Sequence, residues 1–150
     1  MKLYIRKLEP NETESALSLV WAVFQKYESP DYSIEGTAEF DKSIHDPDFI
    51  ARLTFYGAFR SAELIGVIAV RSSGSHIALL FVAGEYHRKG IGRMLFETVL
   101  TNCTADSITV NSSPFAVPFY HKLGFTDTDA EQTVNGLRFT PMEYRLHKQA

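Results

Sequence analysis

The stretch Gly84–Phe96, GEYHRKGIGRMLF, decides the fold of this chain. It follows the β-branched and aromatic run HIALLFV at residues 76–82 and leads into an apolar-periodic segment, so it predicts a turn from a strand into a helix. The first N–H groups of a helix lack intrahelical partners, and with the positive end of the helix dipole they attract an anion. Gly90 and Gly92 carry no side chain, so the turn predicts a phosphate site, and its length favours a diphosphate. The polar and basic residues around the glycines are His87, Arg88, Lys89 and Arg93.

Two better-known phosphate motifs do not fit this turn. A Walker loop requires Gly, four residues and then Gly-Lys-Ser/Thr, whereas the order here is Lys89-Gly90-Ile91. A dinucleotide fingerprint that starts at Gly90 would need a small residue where Leu95 stands. Taken alone, the turn is also compatible with a helix that begins at a glycine and carries a solvated basic loop.

Length and composition predict one domain, residues 1–150, with a sizeable core: 45% of the residues are hydrophobic. The net charge of −3 gives no reason to expect a nucleic acid or a membrane surface as partner. Cys103 is the single cysteine, which excludes an internal disulfide and a cysteine-based zinc site. The five histidines show no metal-ligand spacing, so no metal site is expected. Without a signal-like or membrane-spanning run, a cytoplasmic protein is expected.

The remaining patterns predict a mixed sheet covered by helices, with the element order β-α-α-β-β-β-α-β-α-β-β. The first helix would be capped by Asn11 with Glu14 three residues later, and the second would be closed by Pro47. The runs LTFYGAFR, ELIGVIAVR and HIALLFV predict an antiparallel meander. The last strand, LRFTPMEYRL, would be broken or bulged at Pro141.

The segment SITVNSSPFAVPFYHKLGF contains a second group of polar residues that would reach the same end of the sheet. Pro118 is tolerated if its helix begins near Phe115 or Ala116, because it then lies in the first turn. The helix would end at Gly124, in the left-handed conformation. Asn111 ends the preceding strand, where its side chain could bind an amide in the sheet.

The runs LLFVAGEYHRKGIGRMLF and VNSSPFAVPFYHKLGF together resemble the GNAT superfamily of N-acetyltransferases, whose element order agrees from Leu3 to Leu146. The family's diphosphate signature is Gln or Arg, two residues, Gly, one residue, and Gly or Ala. Gly90 and Gly92 match it, while His87 replaces the Gln or Arg. The resemblance implies an α+β acyl-CoA N-acyltransferase fold, with a sheet of about seven strands split in a V and about four flanking helices.

The resemblance also implies a site for acetyl-CoA as cosubstrate. The backbone of Leu80, Phe81 and Val82, on a bulged strand, would pair with the pantetheine arm, and Asn111 would meet its amides from the other side. Phe115 and Phe119 would line the far side of the cofactor, and Tyr120 would protonate the departing thiolate. The diphosphate would be wrapped by His87, Arg88, Lys89, Gly90, Ile91, Gly92 and Arg93.

Acetyl transfer to an amine imposes three chemical demands. An alkyl amine with a pKa of about 10.4 needs a base to take its proton. The oxyanion needs a donor, for which the backbone N–H near Val82 is the candidate. The thiolate, with a pKa of roughly 8.5, needs an acid, and a tyrosine with a pKa of about 10 stays protonated at pH 7. The sequence leaves the base open among Glu28, Asp31, Glu35, His76 and Glu85.

These observations predict an acetyl-CoA-dependent N-acetyltransferase that acts on a small amine or a protein amino group, by direct transfer in a ternary complex. The acids of YESPDYSIEG, residues 27–36, favour a cationic acceptor, whose identity stays open. A non-catalytic acyl-CoA-binding or sensor module of the same fold is the alternative, and a plain interaction domain is a third interpretation. The exposed strand edges of a split sheet would also allow a homodimer.

Overall fold

Eight strands form one mixed sheet in residues 2–146, which the structure, a computed structural model, describes. The strands are β1 (Leu3–Lys7), β2 (Thr54–Arg60), β3 (Glu63–Arg71), β4 (His76–Val82), β5 (Ser107–Ser112), β6 (Thr126–Asp127), β7 (Gln132–Val134) and β8 (Leu137–Arg145). Their order is β1-β2-β3-β4-β5-β8-β6, with β7 paired to β8. The predicted meander is confirmed as β2-β3-β4, and all three strands are antiparallel.

The helices cover both faces of this sheet. They are α1 (Thr13–Val23), α2 (Ile34–Ile44), α3 (Pro47–Ala51), α4 (Ile91–Asn102) and α5 (Val117–Leu123). A π-helical turn, Phe24–Glu28, extends α1, and short 3-10 turns precede α4 and α5. The α+β fold is therefore confirmed, with one more strand and one more helix than expected, because the C-terminal region forms three strands and Pro47 begins α3.

The sheet opens between β4 and β5, which are its parallel pair. The two strands pair only at His76–Thr109 and Ile77–Val110. Immediately beyond, Val70 pairs with Ile77 while Ala69 pairs with Leu79, so Ala78 is an extra residue in β4. Such a bulge bends the strand and increases its twist. The predicted bulged strand and V-shaped split are both present.

Two apolar clusters hold the helices on the sheet. On one face, Leu95 and Val99 of α4 pack with Tyr120 of α5 and with β-strand residues. On the other face, Val20 of α1 and Ile44 of α2 are fully buried. Removing a fully buried Leu or Ile side chain typically costs about 2–5 kcal/mol, so these contacts fix the positions of α2, α4 and α5 around the split.

The predicted caps of the first helix are wrong. The segment begins earlier, with a 3-10 turn at Pro10–Glu12, and the Glu12 carboxylate accepts the Glu9 N–H at 2.8 Å. Arg6 of β1 donates two hydrogen bonds to the same carboxylate, each of 2.8 Å. Glu12 thus caps the turn and, through Arg6, ties it to strand β1.

The expected break at Pro141 is also wrong, since β8 runs without a register shift past Asn111. The Pro141 carbonyl accepts the Thr128 N–H at 2.9 Å, on the side of β8 away from β5. Because the N and the C=O of a strand residue point to the same side, the nitrogen of Pro141 also faces away from β5. The missing N–H therefore removes no ladder bond between β5 and β8.

The local expectations for α5 are confirmed. Ala116 is its N-cap, so Pro118 lies in the first turn, where no hydrogen bond is lost. Gly124 ends the helix with a φ of 111°, a conformation in which a side chain would be strained. Tyr120 is thereby fixed on the inner face of a short helix, where it is 4% exposed.

Candidate active site

The turn before α4 presents backbone donors surrounded by cations. Gly90 is the N-cap of α4, with a φ of 81°, and its carbonyl accepts the Met94 N–H at 3.0 Å. The N–H groups of Ile91, Gly92 and Arg93 precede this first helical bond and have no intrahelical partner. Arg88, Lys89 and Arg93 are exposed around this point. The geometry suits a phosphate group.

Packing against Phe119 explains why residue 92 is a glycine. A Cβ added there would lie 2.9 Å from two ring carbons of Phe119, which is closer than real Cβ contacts allow. A Cβ added at Gly90 would meet nothing within 4 Å, so that glycine is needed for its positive φ. The side chain of Ile91 is 2% exposed in the core, so Ile91 can offer a phosphate only its N–H.

His87 lies across the end of β4. Its Nε2 atom is 2.6 Å from the Val82 carbonyl oxygen. The ring also lies 4.6 Å from the ring of Tyr27 and 6.4 Å from that of Phe115, measured between centroids. These contacts join the end of α1, the β4–α4 turn and the 3-10 turn before α5.

A cavity of about 440 Å³ fills the split between β4 and β5. Ala83 donates to the Ile65 carbonyl across the β3–β4 pair at 2.9 Å. Since backbone groups alternate sides along a strand, those of Val82 and Leu80 face away from β3, into the split. Of the residues predicted to bind the cofactor, Leu80, Phe81, Asn111 and Tyr120 border the cavity. The others lie outside its wall: Val82, Phe115, Phe119 and the residues of the α4 turn.

Tyr120 and Glu28 are two titratable groups of this wall, and the charge of Glu28 acts on Tyr120. Burial, and secondarily the negative charge of Glu28, raises the pKa of Tyr120 above its ordinary value. Tyr120 therefore stays protonated and can only donate a proton at pH 7. Burial raises the pKa of Glu28 to about 7, an effect that the nearby Ser113 hydroxyl reduces and the negative charge of Asp31 increases. The arrangement places a proton donor and a moderately strong base in one cavity.

Glu28 and His76 are the predicted base candidates that border the cavity. His76 Nδ1 lies 2.8 Å from the Thr109 hydroxyl. Burial, together with the positive charge of Arg71, lowers the pKa of His76 to about 4, so it is the weaker base. The remaining candidates, Asp31, Glu35 and Glu85, are exposed and absent from the cavity wall.

The sequence interpretation missed much of the cavity wall. Arg71 at the end of β3 and Arg138 on β8 bring positive charge to it, and Ser113 stands beside Glu28. Only the sheet topology brings these positions together, and no local motif marks them. Four aromatic side chains of the wall were also not predicted: Tyr32, Phe40, Phe49 and Phe139.

The residues present fit coenzyme A. Its diphosphate would meet N–H donors and cations at the α4 turn, and its pantetheine arm would meet backbone groups of β4 along the open split. Among residues 2–146, no group of acidic, histidine or cysteine side chains could hold a metal ion. No helix in that range is long and apolar enough to span a bilayer.

Comparison with known proteins now identifies the family. A family model described as "Acetyltransferase (GNAT) domain" matches residues 28–146, well over half of the chain. The chain belongs to the GNAT acetyltransferase family. No curated protein matches it.

Solved structures of other GNAT proteins share the fold at low sequence identity. A GCN5-related N-acetyltransferase from Rhodopseudomonas palustris has a TM-score of 0.81 and 22% identity, over 97% of this chain and 97% of that chain. PaiA N-acetyltransferase from Thermoplasma acidophilum, solved in complex with coenzyme A, has a TM-score of 0.78 and 21% identity, over 97% of this chain and 100% of that chain. The ribosomal-protein-S18-alanine N-acetyltransferase from Escherichia coli has a TM-score of 0.64 and 15% identity, over 99% of this chain and 97% of that chain. At such identities these likenesses support the GNAT fold and leave the acceptor open.

Proposed function

We propose that this GNAT acetyltransferase transfers an acetyl group from acetyl-CoA to a primary amine, directly within a ternary complex. The observation that carries the proposal is the split between β4 and β5. It runs from the donor-rich α4 turn to a cavity bordered by Tyr120 and Glu28. The complex of PaiA with coenzyme A, a protein of the same fold, adds support for the cofactor.

Acetyl-CoA, when bound, supplies an activated acetyl group on a thioester. The N–H groups and cations of the α4 turn would hold its diphosphate, and the backbone of Leu80 would pair with the pantetheine arm. The Val82 carbonyl would pair with the arm only after its contact with His87 is broken, because the Val82 oxygen lies 2.6 Å from His87 Nε2.

Tyr120 would supply the proton that the departing thiolate takes up. Its position in the cavity wall, inside a short helix fixed at both ends, gives the hydroxyl a defined place. Its raised pKa ensures that the proton is present throughout the neutral range. The scheme includes no acetyl-cysteine intermediate, because Cys103, the one cysteine, lies at the end of α4 and outside the cavity wall.

Two measurements test the proposal. Isothermal titration calorimetry should show that the full chain binds acetyl-CoA. A panel of amines, with free thiol as the readout, should show turnover that falls strongly in Tyr120→Phe while the affinity for acetyl-CoA stays nearly unchanged. Binding without turnover on any amine would favour the non-catalytic sensor. Absence of binding would refute the proposal altogether.

A further inference from the structure

Aromatic side chains from several elements line the cavity. Strand β4 spans roughly 20 Å from His76 to Val82, at about 3.3 Å per residue. The α4 turn follows the Val82 end, whereas Arg71 pairs with His76 at the other end. The segments around α2, α3 and β8 contribute four aromatic side chains to the wall: Tyr32, Phe40, Phe49 and Phe139. This aromatic wall is the place for an apolar part of the acceptor.

The charges of the cavity wall leave the Glu28 carboxylate without compensation. The wall contains two carboxylate and two guanidinium groups: Glu28, Glu39, Arg71 and Arg138. Arg138 forms an ion pair with Glu131, at 3.0 Å, and also donates to the Asp31 carbonyl. Arg71 makes no ion pair within residues 2–146, and no cation is among the groups that act on Glu28. Neither guanidinium group therefore neutralises Glu28.

Glu28 has no cationic partner among the ion pairs of residues 2–146. It is only partly buried, because it borders the cavity, yet its surroundings raise its pKa to about 7. The titratable groups that act on it or feel its charge are Asp31, Tyr32 and Tyr120, and none of them is a cation at neutral pH. An ammonium group entering the cavity would supply the missing positive charge.

The charge of Arg71 disfavours an acceptor that carries more than one positive charge. Its guanidinium makes no ion pair within residues 2–146, and its charge is felt in the cavity, since it helps to lower the pKa of His76. A second ammonium group on the acceptor would approach the Arg71 guanidinium, at the His76 end of β4. Like charges repel there more strongly than in water, because the walls have a low dielectric constant.

We propose that the acceptor is a monoamine with an apolar, ring-sized body, whose nitrogen binds at Glu28 and gives its proton to that carboxylate. One N–H bond of the ammonium breaks and one O–H bond forms on Glu28, so the acid becomes neutral and the amine gains its free electron pair. The ring fills the space between α2, α3 and β8. This inference rests on the proposed acetyl transfer and narrows its acceptor.

Calorimetry on the full chain saturated with coenzyme A tests the acceptor class without requiring turnover. Phenethylamine should bind at least about tenfold more tightly than ethylamine, since the ring loses its apolar surface to the walls. It should also bind at least about tenfold more tightly than 1,4-diaminobutane. Arg71→Glu should abolish the second preference, because the added carboxylate accepts the second ammonium. Preference of the wild type for 1,4-diaminobutane or ethylamine would overturn the acceptor class.

The role of Glu28 is tested with Glu28→Gln, Glu28→Asp and the control Glu97→Gln, an exposed residue of α4. Glu28→Gln should weaken phenethylamine binding about tenfold or more, while Glu97→Gln leaves it unchanged. With phenethylamine as substrate, kcat/KM of the wild type should rise through pH 7. The inflection should vanish in Glu28→Gln and move in Glu28→Asp.

The outcomes separate the two proposals. If coenzyme A does not bind, the proposed function fails. If it binds and the enzyme acetylates diamines in preference to phenethylamine, acetyl transfer stands and the acceptor inference falls. If phenethylamine is acetylated and Glu28→Gln keeps both its affinity and the inflection near pH 7, Glu28 is not the base.

Discussion

Replacing Glu28 with glutamine should stabilise the protein at high pH and leave its stability unchanged at low pH. The glutamine keeps the size and much of the polarity of the side chain but never carries a charge. In the wild type, the carboxylate must lose water contacts on folding and finds no cation in return. The charge of Glu28 therefore destabilises the folded state, which agrees with the raised pKa of Glu28.

The magnitude follows from the pKa of Glu28, which rises from an ordinary 4.5 to about 7. At 1.36 kcal/mol per pKa unit, and with allowance for the water that the open cavity admits, the penalty is about 2–3 kcal/mol. Because the folded pKa is the higher one, the stability associated with the protonated group is fully present below pH 4.5. It is lost as the pH rises through 7.

Urea denaturation at pH 5, 6, 7 and 8 measures this difference. The free energies of unfolding of Glu28→Gln and the wild type should differ by less than about 1 kcal/mol at pH 5 and by about 2–3 kcal/mol at pH 8. The control Glu97→Gln should run parallel to the wild type throughout. A constant difference between Glu28→Gln and the wild type across this range would refute the idea that Glu28 is an uncompensated charge.

Three other substitutions test the site and its support. Gly90→Val should lower the affinity for acetyl-CoA more than about tenfold in calorimetry, whereas Gly74→Val, with a similar φ of 85° and equally open surroundings, should cost stability alone. Equal affinity in both variants would contradict the phosphate role of the α4 turn. Tyr120→Phe should reduce kcat by roughly 10²–10⁴-fold with acetyl-CoA affinity retained, and an unchanged kcat would exclude it as the acid. Gly92→Ala should lower the free energy of unfolding by about 1–3 kcal/mol in urea denaturation, because the added Cβ would lie 2.9 Å from the Phe119 ring. Adding Phe119→Leu to this variant should restore part of the loss. An unchanged free energy of unfolding in Gly92→Ala would contradict the packing role.

The features that sequence predicted well have local causes. The meander was visible because its turn residues and β-branched runs are adjacent in the chain. The start of α5 followed from Pro118 and its end from Gly124, since each restricts its own backbone. The β4–α4 turn was likewise defined by its own glycines and cations.

The features that the sequence did not reveal depend on contacts between separate elements of the fold. Glu12 caps the first turn because Arg6 of β1 holds it, and Pro141 is harmless because its nitrogen faces away from β5. Glu28 could not be chosen among five base candidates until the enclosing wall was known. Gly92 matches the phosphate pattern, yet its contact with Phe119 explains the missing side chain.

Because Ala78 is an extra residue in β4, deleting it would test whether the split between β4 and β5 can be lost while the core is kept. Ile77 belongs to the cluster on the α4 side, whereas Ala78 and Leu79 both lie with the cluster on the α1 side. Excising Ala78 would therefore leave Ile77 and Leu79 facing the same partners as before, in uninterrupted alternation. The hydrophobic core therefore does not require Ala78. The bulge that Ala78 forms instead maintains the split between β4 and β5.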